Sequence, residues 1–126
     1  MDSIQLATVS VIGQVLGGRN LNQVLGETIK SLPELSPQQR GALQDLSYGT
    51  LRFYGQLNWV LDALLKKPIQ DIHIRYLLLI ALYQLQYSKA APHAVVDFAV
   101  GAVRKQSPAA SGLVNASLRN FLREQE

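Results

Sequence analysis

Apolar residues recur at three- and four-residue steps along nearly the whole chain of 126 residues. No stretch alternates apolar and polar long enough for a half-buried strand, so the pattern predicts helices throughout. The first helix spans about Asp2 to Leu16, with Ile4, Ala7, Val11 and Val15 on one face, and Gly17-Gly18 ends it. Asn20 is placed to cap a second helix, whose apolar set is Leu21, Val24, Leu25, Ile29 and Leu32 and which Pro33 stops. Ser36-Pro37-Gln38-Gln39 has the form of a capping box with proline at the first helical position. A long helix follows, marked by Leu43, Leu46, Thr50, Tyr54, Leu57, Leu61 and Leu64, and Gly55 is expected to bend or split it. Lys66-Lys67 suit its negative C-terminal end, and Pro68 comes next.

Asp71 is placed to cap a helix over Ile72–Tyr87. Between Tyr76 and Leu85 only Gln84 is strongly polar, and a helix that is apolar all round must be surrounded by others. Pro92 opens the next helix, with Val95, Val96, Phe98, Ala99 and Val103 inward. Ser107-Pro108 repeats the cap-then-proline signal before a last helix carrying Leu113, Val114, Leu118, Phe121 and Leu122. The prediction is an all-α bundle of six to seven helices forming one domain over 1–126.

Composition narrows the function classes. Hydrophobic residues make up 48% of the chain, enough to fill one core without a disulfide or metal staple. There is no cysteine, which removes disulfides, thiolate nucleophiles and cysteine-based zinc sites and fits a reducing, cytoplasmic setting. Met1-Asp2-Ser3-Ile4-Gln5 has neither the positive start nor the small-residue cleavage site of a secretory signal. The most apolar run, Tyr76 to Tyr83, falls far short of the roughly 20 residues a membrane span needs.

Candidate chemistry is sparse. His73 and His93 are the only histidines, each at a helix start with no carboxylate cluster at ligand spacing, so no metal is expected. The nine acids are scattered singly: Asp2 and Asp71 read as caps, and Asp45, Asp62 and Asp97 as surface or ion-pair residues. Gly17-Gly18-Arg19 is a helix stop rather than a phosphate loop, since no strand precedes it. No catalytic or cofactor-binding residue is therefore expected in this chain. The five tyrosines, Tyr48, Tyr54, Tyr76, Tyr83 and Tyr87, fall mostly on apolar faces and read as core.

The basic residues remain, within a net charge of +3. Asn115, Arg119 and Arg123 lie at i, i+4 and i+8 on one face of the last helix, Arg104-Lys105 close the helix before it, Arg40 and Arg52 sit on the long helix, and Lys89 lies before Pro92. One reading is an ordinary solvated face, with Arg104-Lys105 complementing a helix C-terminus. The other is a diffuse phosphate-contacting surface.

Three stretches, in order and at their spacing, resemble the NusB-like family, in the branch found at the N-terminus of ribosomal RNA small-subunit methyltransferases of the Sun/Fmu type. They are Leu46-Ser47-Tyr48-Gly49-Thr50-Leu51-Arg52 with Asp62 ten residues on; Ile80-Ala81-Leu82-Tyr83-Gln84-Leu85 followed by Pro92-His93-Ala94-Val95-Val96; and Gly112 through Arg123. The resemblance covers essentially the whole chain and implies an all-helical bundle that binds RNA. In the methyltransferase branch, it implies an accessory domain that helps engage 16S ribosomal RNA. The catalytic domain, which uses S-adenosylmethionine and cysteine nucleophiles on the cytosine 5 position, is expected beyond Glu126, making this chain a fragment of the enzyme. Free-standing members, which bind RNA and a ribosomal protein in transcription antitermination, often carry an arginine-rich first helix, whereas Asp2–Leu16 here holds no Lys or Arg.

At the matched positions, Gly49 is expected to permit close helix approach, Asp62 to pair with a cation or cap a neighbouring helix, and Asn115 to bond backbone groups in a loop. A structural role stands beside an RNA contact for each. The leading expectation is RNA binding through Arg40, Arg52, Lys89, Arg104, Lys105, Arg119 and Arg123. The alternatives are docking to the methyltransferase domain or a ribosomal protein through Trp59 or Phe121, and a free-standing antitermination factor.

Overall fold

In a computed structural model of the chain, residues 2–125 are described, with side chains from Ile4 onward. Seven α-helices appear among them: α1 Asp2–Leu16, α2 Leu21–Ser31, α3 Pro37–Arg52, α4 Tyr54–Leu64, α5 Ile72–Tyr87, α6 Pro92–Gln106 and α7 Ser111–Glu124. A short 3₁₀ turn, Pro108–Ala110, joins the last two.

Most boundaries follow from local chemistry. Gly18 takes φ 112° after α1, the left-handed conformation open to a residue without Cβ. The Asn20 side chain accepts from the Gln23 N–H, and the Asp71 side chain from that of His73. Ser36 and Gln39 form both halves of the capping box, at 3.1 and 2.9 Å. The cap expected of Asp2 falls on a side chain outside the described ones.

Two boundaries differ from expectation. The long helix breaks at Phe53 rather than at Gly55. Phe53 leaves helical geometry (φ −103°, ψ 20°), and Gly55 sits exposed within the first turn of α4. The Phe53 ring explains the position of the break: it stacks on Tyr87 at 4.1 Å between centroids and 9° between planes, which pins the junction against the end of α5. Ser107 also does not cap α7. Its N–H bonds to the Val103 carbonyl and closes α6, and α7 begins only at Ser111, after the 3₁₀ turn.

The α5 helix is the axis of the bundle and packs against α1, α3, α4, α6 and α7. Residues Leu77 to Tyr83 are buried on every side of it, as its continuous apolar run requires. Gly49 on α3 lets α5 come close. A Cβ built there would lie 2.0 to 2.3 Å from Tyr83 ring and hydroxyl atoms, so only glycine fits. The Tyr83 hydroxyl donates to Asp45 Oδ1 at 2.9 Å, and burial, then this bond, push its phenol up to about 12.

The reading of all five tyrosines as core needs correcting. Tyr83 is buried and Tyr54 and Tyr76 are half-buried, but Tyr48 and Tyr87 are exposed. Each lies at the rim of its helix and uses its hydroxyl to bridge to another helix: Tyr48 to Asn22 on α2, Tyr87 to Gln56 on α4.

Candidate nucleic-acid interface

The α7 helix divides its residues by face. Val114, Ser117, Leu118 and Phe121 point inward and are buried, while Leu113, Ala116, Arg119 and Arg123 are exposed. Packing the inward stripe against α6, α5 and α4 leaves a groove on each side of α7.

The first groove, about 410 Å³, lies between α6 and α7. Asp97 and Arg104 from α6 face Ser111, Asn115 and Arg119 from α7 across it. Arg119 Nε donates to Asn115 Oδ1 at 2.9 Å, which orients the guanidinium while leaving its other N–H groups available. Asn115 thus steadies an arginine within a helix, rather than bonding backbone in a loop as expected. The second groove, about 650 Å³, lies between α7 and the segment after α4 and brings Lys66 and Lys67 beside Asn120 and Arg123. Arg123 donates to Asn120 Oδ1 at 3.3 Å.

Arg104 and Arg119 therefore share the first groove, Arg123 lines the second across α7, and Lys105 adjoins Arg104 at the exposed end of α6. Lys66 and Lys67 line the second groove with Arg123; their sequence position alone assigned these two only to a helix terminus. Asp97 is the single acid among the described residues lining the two grooves.

The other three cations lie elsewhere. Arg40 is half-buried and donates to the Leu35 carbonyl at 3.1 Å, holding the α2–α3 connection. Arg52 lies 5.4 Å from the Phe53 ring centroid. Lys89 is exposed in the loop between α5 and α6.

Remaining candidates have local roles. Arg75 bridges Asp62 and Asn58 at 2.8 Å each, tying α5 to α4, so Asp62 pairs with a cation as one of its two expected roles required. Arg19 and Glu27 bond at 2.7 Å, which raises the guanidinium pKa and lowers the carboxyl's. Phe121 is buried within α7's inward stripe and offers no docking surface, contrary to expectation, whereas Trp59 is 74% exposed. Among the described residues, no three His, Cys, Asp or Glu side chains converge at metal-binding distance, and no helix is long and apolar enough to cross a membrane.

This seven-helix bundle with α5 as its axis has the all-helical architecture implied by the three matched stretches. Residues 3–123 match the NusB family, and the chain belongs to it. Among curated proteins it is similar to ribosomal RNA small subunit methyltransferase B of Serratia proteamaculans, 42% identical over 119 residues that cover 91% of this chain and 27% of the relative. The protein of the same name from Pectobacterium carotovorum is 36% identical over 128 residues, covering 98% of this chain and 29% of the relative. That from Proteus mirabilis is 34% identical over 128 residues, covering 98% and 30%. The chain thus spans less than a third of the length of these relatives.

Proposed function

We propose that this domain is an RNA-binding accessory module that helps a ribosomal RNA cytosine-5 methyltransferase engage 16S ribosomal RNA. The observation that carries the reading is the pair of grooves beside α7, lined by Arg104, Arg119, Arg123, Lys66 and Lys67, with Asp97 the one acid among the described residues lining them. Guanidinium and ammonium groups set along open grooves suit a phosphate backbone. In this reading S-adenosylmethionine and the reacting cysteines belong to a separate catalytic domain, and the work takes place in the cytoplasm.

Fluorescence anisotropy with a labelled 16S rRNA hairpin at several salt concentrations tests the proposal. If about four cations meet phosphates, log affinity falls with log salt at a slope near −3 to −4. Replacing Arg119 and Arg123 together by alanine flattens the slope by about two. A salt-independent affinity would overturn the reading.

A second reading, docking to a protein partner such as the methyltransferase domain or a ribosomal protein, is favoured by the exposure of Trp59 on α4. It predicts association with the catalytic domain that survives nuclease and is lost in Trp59→Ala.

A further inference from the structure

The rings of Phe53, Tyr83 and Tyr87 cluster where the α3–α4 junction meets the end of α5. Phe53 and Tyr87 are stacked, 4.1 Å apart between centroids and 9° between planes, so one face of Tyr87 is covered. Tyr83 lies 5.9 Å from Tyr87 and 6.4 Å from Phe53. A ring on the far face of Tyr87 would stand from Phe53 at nearly the sum of the other two separations. Tyr83 stands much closer than that, so it flanks Tyr87 and leaves the far face open. Tyr87 is 42% exposed even though Phe53 covers one face and its hydroxyl donates to Gln56.

Two cations lie at the same end of the bundle. Arg52, the exposed last residue of α3, sets its Cζ 5.4 Å from the Phe53 centroid and has no ion-pair partner among the described residues. Lys89, two residues beyond Tyr87, is exposed in the loop before α6. The acid beside the cluster is Asp45, and its Oδ1 is engaged by the Tyr83 hydroxyl. Neither Tyr87 nor these two cations line the grooves beside α7. Pinning the α3–α4 junction uses only the side of Tyr87 that meets Phe53, and the open face has no part in it. A flat aromatic face beside cations matches the two halves of a nucleotide: the base stacks on the ring, and its phosphates meet the positive charges. A cationic ligand would be repelled by Arg52 and Lys89, and an apolar protein surface would have to strip both of water.

Resting on the RNA-binding reading above, we propose that Tyr87 is a stacking platform for RNA, separate from the α7 grooves. One unpaired base lies on its open face and continues the Phe53–Tyr87 stack, and the flanking phosphates meet Arg52 and Lys89. The platform takes any of the four bases, since each has a π face and stacking reads no edge.

The test titrates a labelled twelve-nucleotide single-stranded RNA by anisotropy against the wild type, Tyr87→Leu and Tyr87→Phe. Leucine keeps an apolar side chain against Phe53 but has no ring face. Phenylalanine keeps the ring and gives up only the bond to Gln56. Tyr87→Leu is expected to weaken binding roughly 10-fold with an unchanged salt slope, while Tyr87→Phe binds as the wild type does. Arg52→Gln is expected to flatten the slope by about one. Equal affinity of the wild type and Tyr87→Leu, or equal losses in Tyr87→Leu and Tyr87→Phe, overturns the platform while RNA binding at the α7 grooves stands. If the wild type binds no RNA at any salt concentration, the RNA reading itself fails and the platform falls with it. Should Tyr87→Leu fail to fold, an NMR titration of the wild type with the same oligomer decides. Shifts at Tyr87, Phe53 and Arg52 sustain the platform, and shifts confined to the α7 grooves overturn it.

Discussion

Replacing Gly49 with alanine adds one methyl group at the tightest approach in the bundle. The new Cβ would lie 2.0 Å from Tyr83 Cζ and 2.3 Å from its Cε1 and hydroxyl oxygen, so the ring must retreat by more than 1 Å to reach ordinary contact. It has little room, since Phe53 and Tyr87 lie 6.4 and 5.9 Å away between centroids and the hydroxyl is tied to Asp45. Overpacking of this kind costs about 1–3 kcal/mol. Losing a hydrogen bond to a carboxylate adds about 1.5–3 kcal/mol, and the better helix propensity of alanine returns about 1 kcal/mol. A net loss of about 1.5–5 kcal/mol follows, read as a lower urea midpoint in far-ultraviolet circular dichroism. The same substitution in a Tyr83→Leu background, where the offending atoms are gone, should be neutral or slightly stabilising. A loss below about 0.5 kcal/mol in the wild type, or the same loss in both backgrounds, would refute the packing argument. The assay also decides what the stretch around Gly49 does: a large coupling makes it a helix-packing device rather than an RNA contact.

Tyr83 sets a pH dependence as well. Its folded pKa of about 12 stands above the ordinary value near 10, so the fold favours the neutral phenol. That stabilisation is intact below pH 10 and is lost as pH rises toward 12, by about 2–3 kcal/mol; urea titrations of Tyr83→Phe should show a flatter decline, and an identical one would contradict the assignment. Ser36→Ala removes one half of the capping box and should lower stability by about 1 kcal/mol by urea denaturation. Asp97→Asn removes the one acid among the described residues lining the α7 grooves and should strengthen hairpin binding several-fold at low salt, converging with the wild type at high salt. Unchanged affinity at every salt concentration would place the RNA path elsewhere.

How far the sequence could be read depended on the range of the interaction. Caps at Asn20, Ser36 and Asp71 are satisfied within three residues, and each was legible. So was α5, because a run apolar on every face leaves no alternative to burial. Periodicity could not locate the break in the long helix, since Phe53 owes its position to Tyr87, more than thirty residues away. The same limit hid the exposure of Tyr48 and Tyr87, whose hydroxyls find partners on other helices.

The basic residues show what one turn can supply. Along the sequence, Arg104 belongs to a helix terminus and Arg119 to a separate stripe, and nothing in their spacing joins them. Pro108–Ala110 reverses the chain, so that α6 and α7 fold back on each other and place both guanidiniums on one groove. Ser107-Pro108 opens this turn rather than α7, which begins at Ser111. The reversal also brings Asp97 into the groove. A lining of both signs attracts a phosphate chain less strongly than a uniform one, yet it favours paths that meet Arg104 and Arg119 while avoiding the carboxylate. Lys66, Lys67 and Arg123 on the far side of α7 have no such acid among the residues lining their groove, so they supply attraction without that constraint. On the RNA-binding proposal, the two grooves are expected to act in different ways, one drawing the backbone in and the other fixing where it lies.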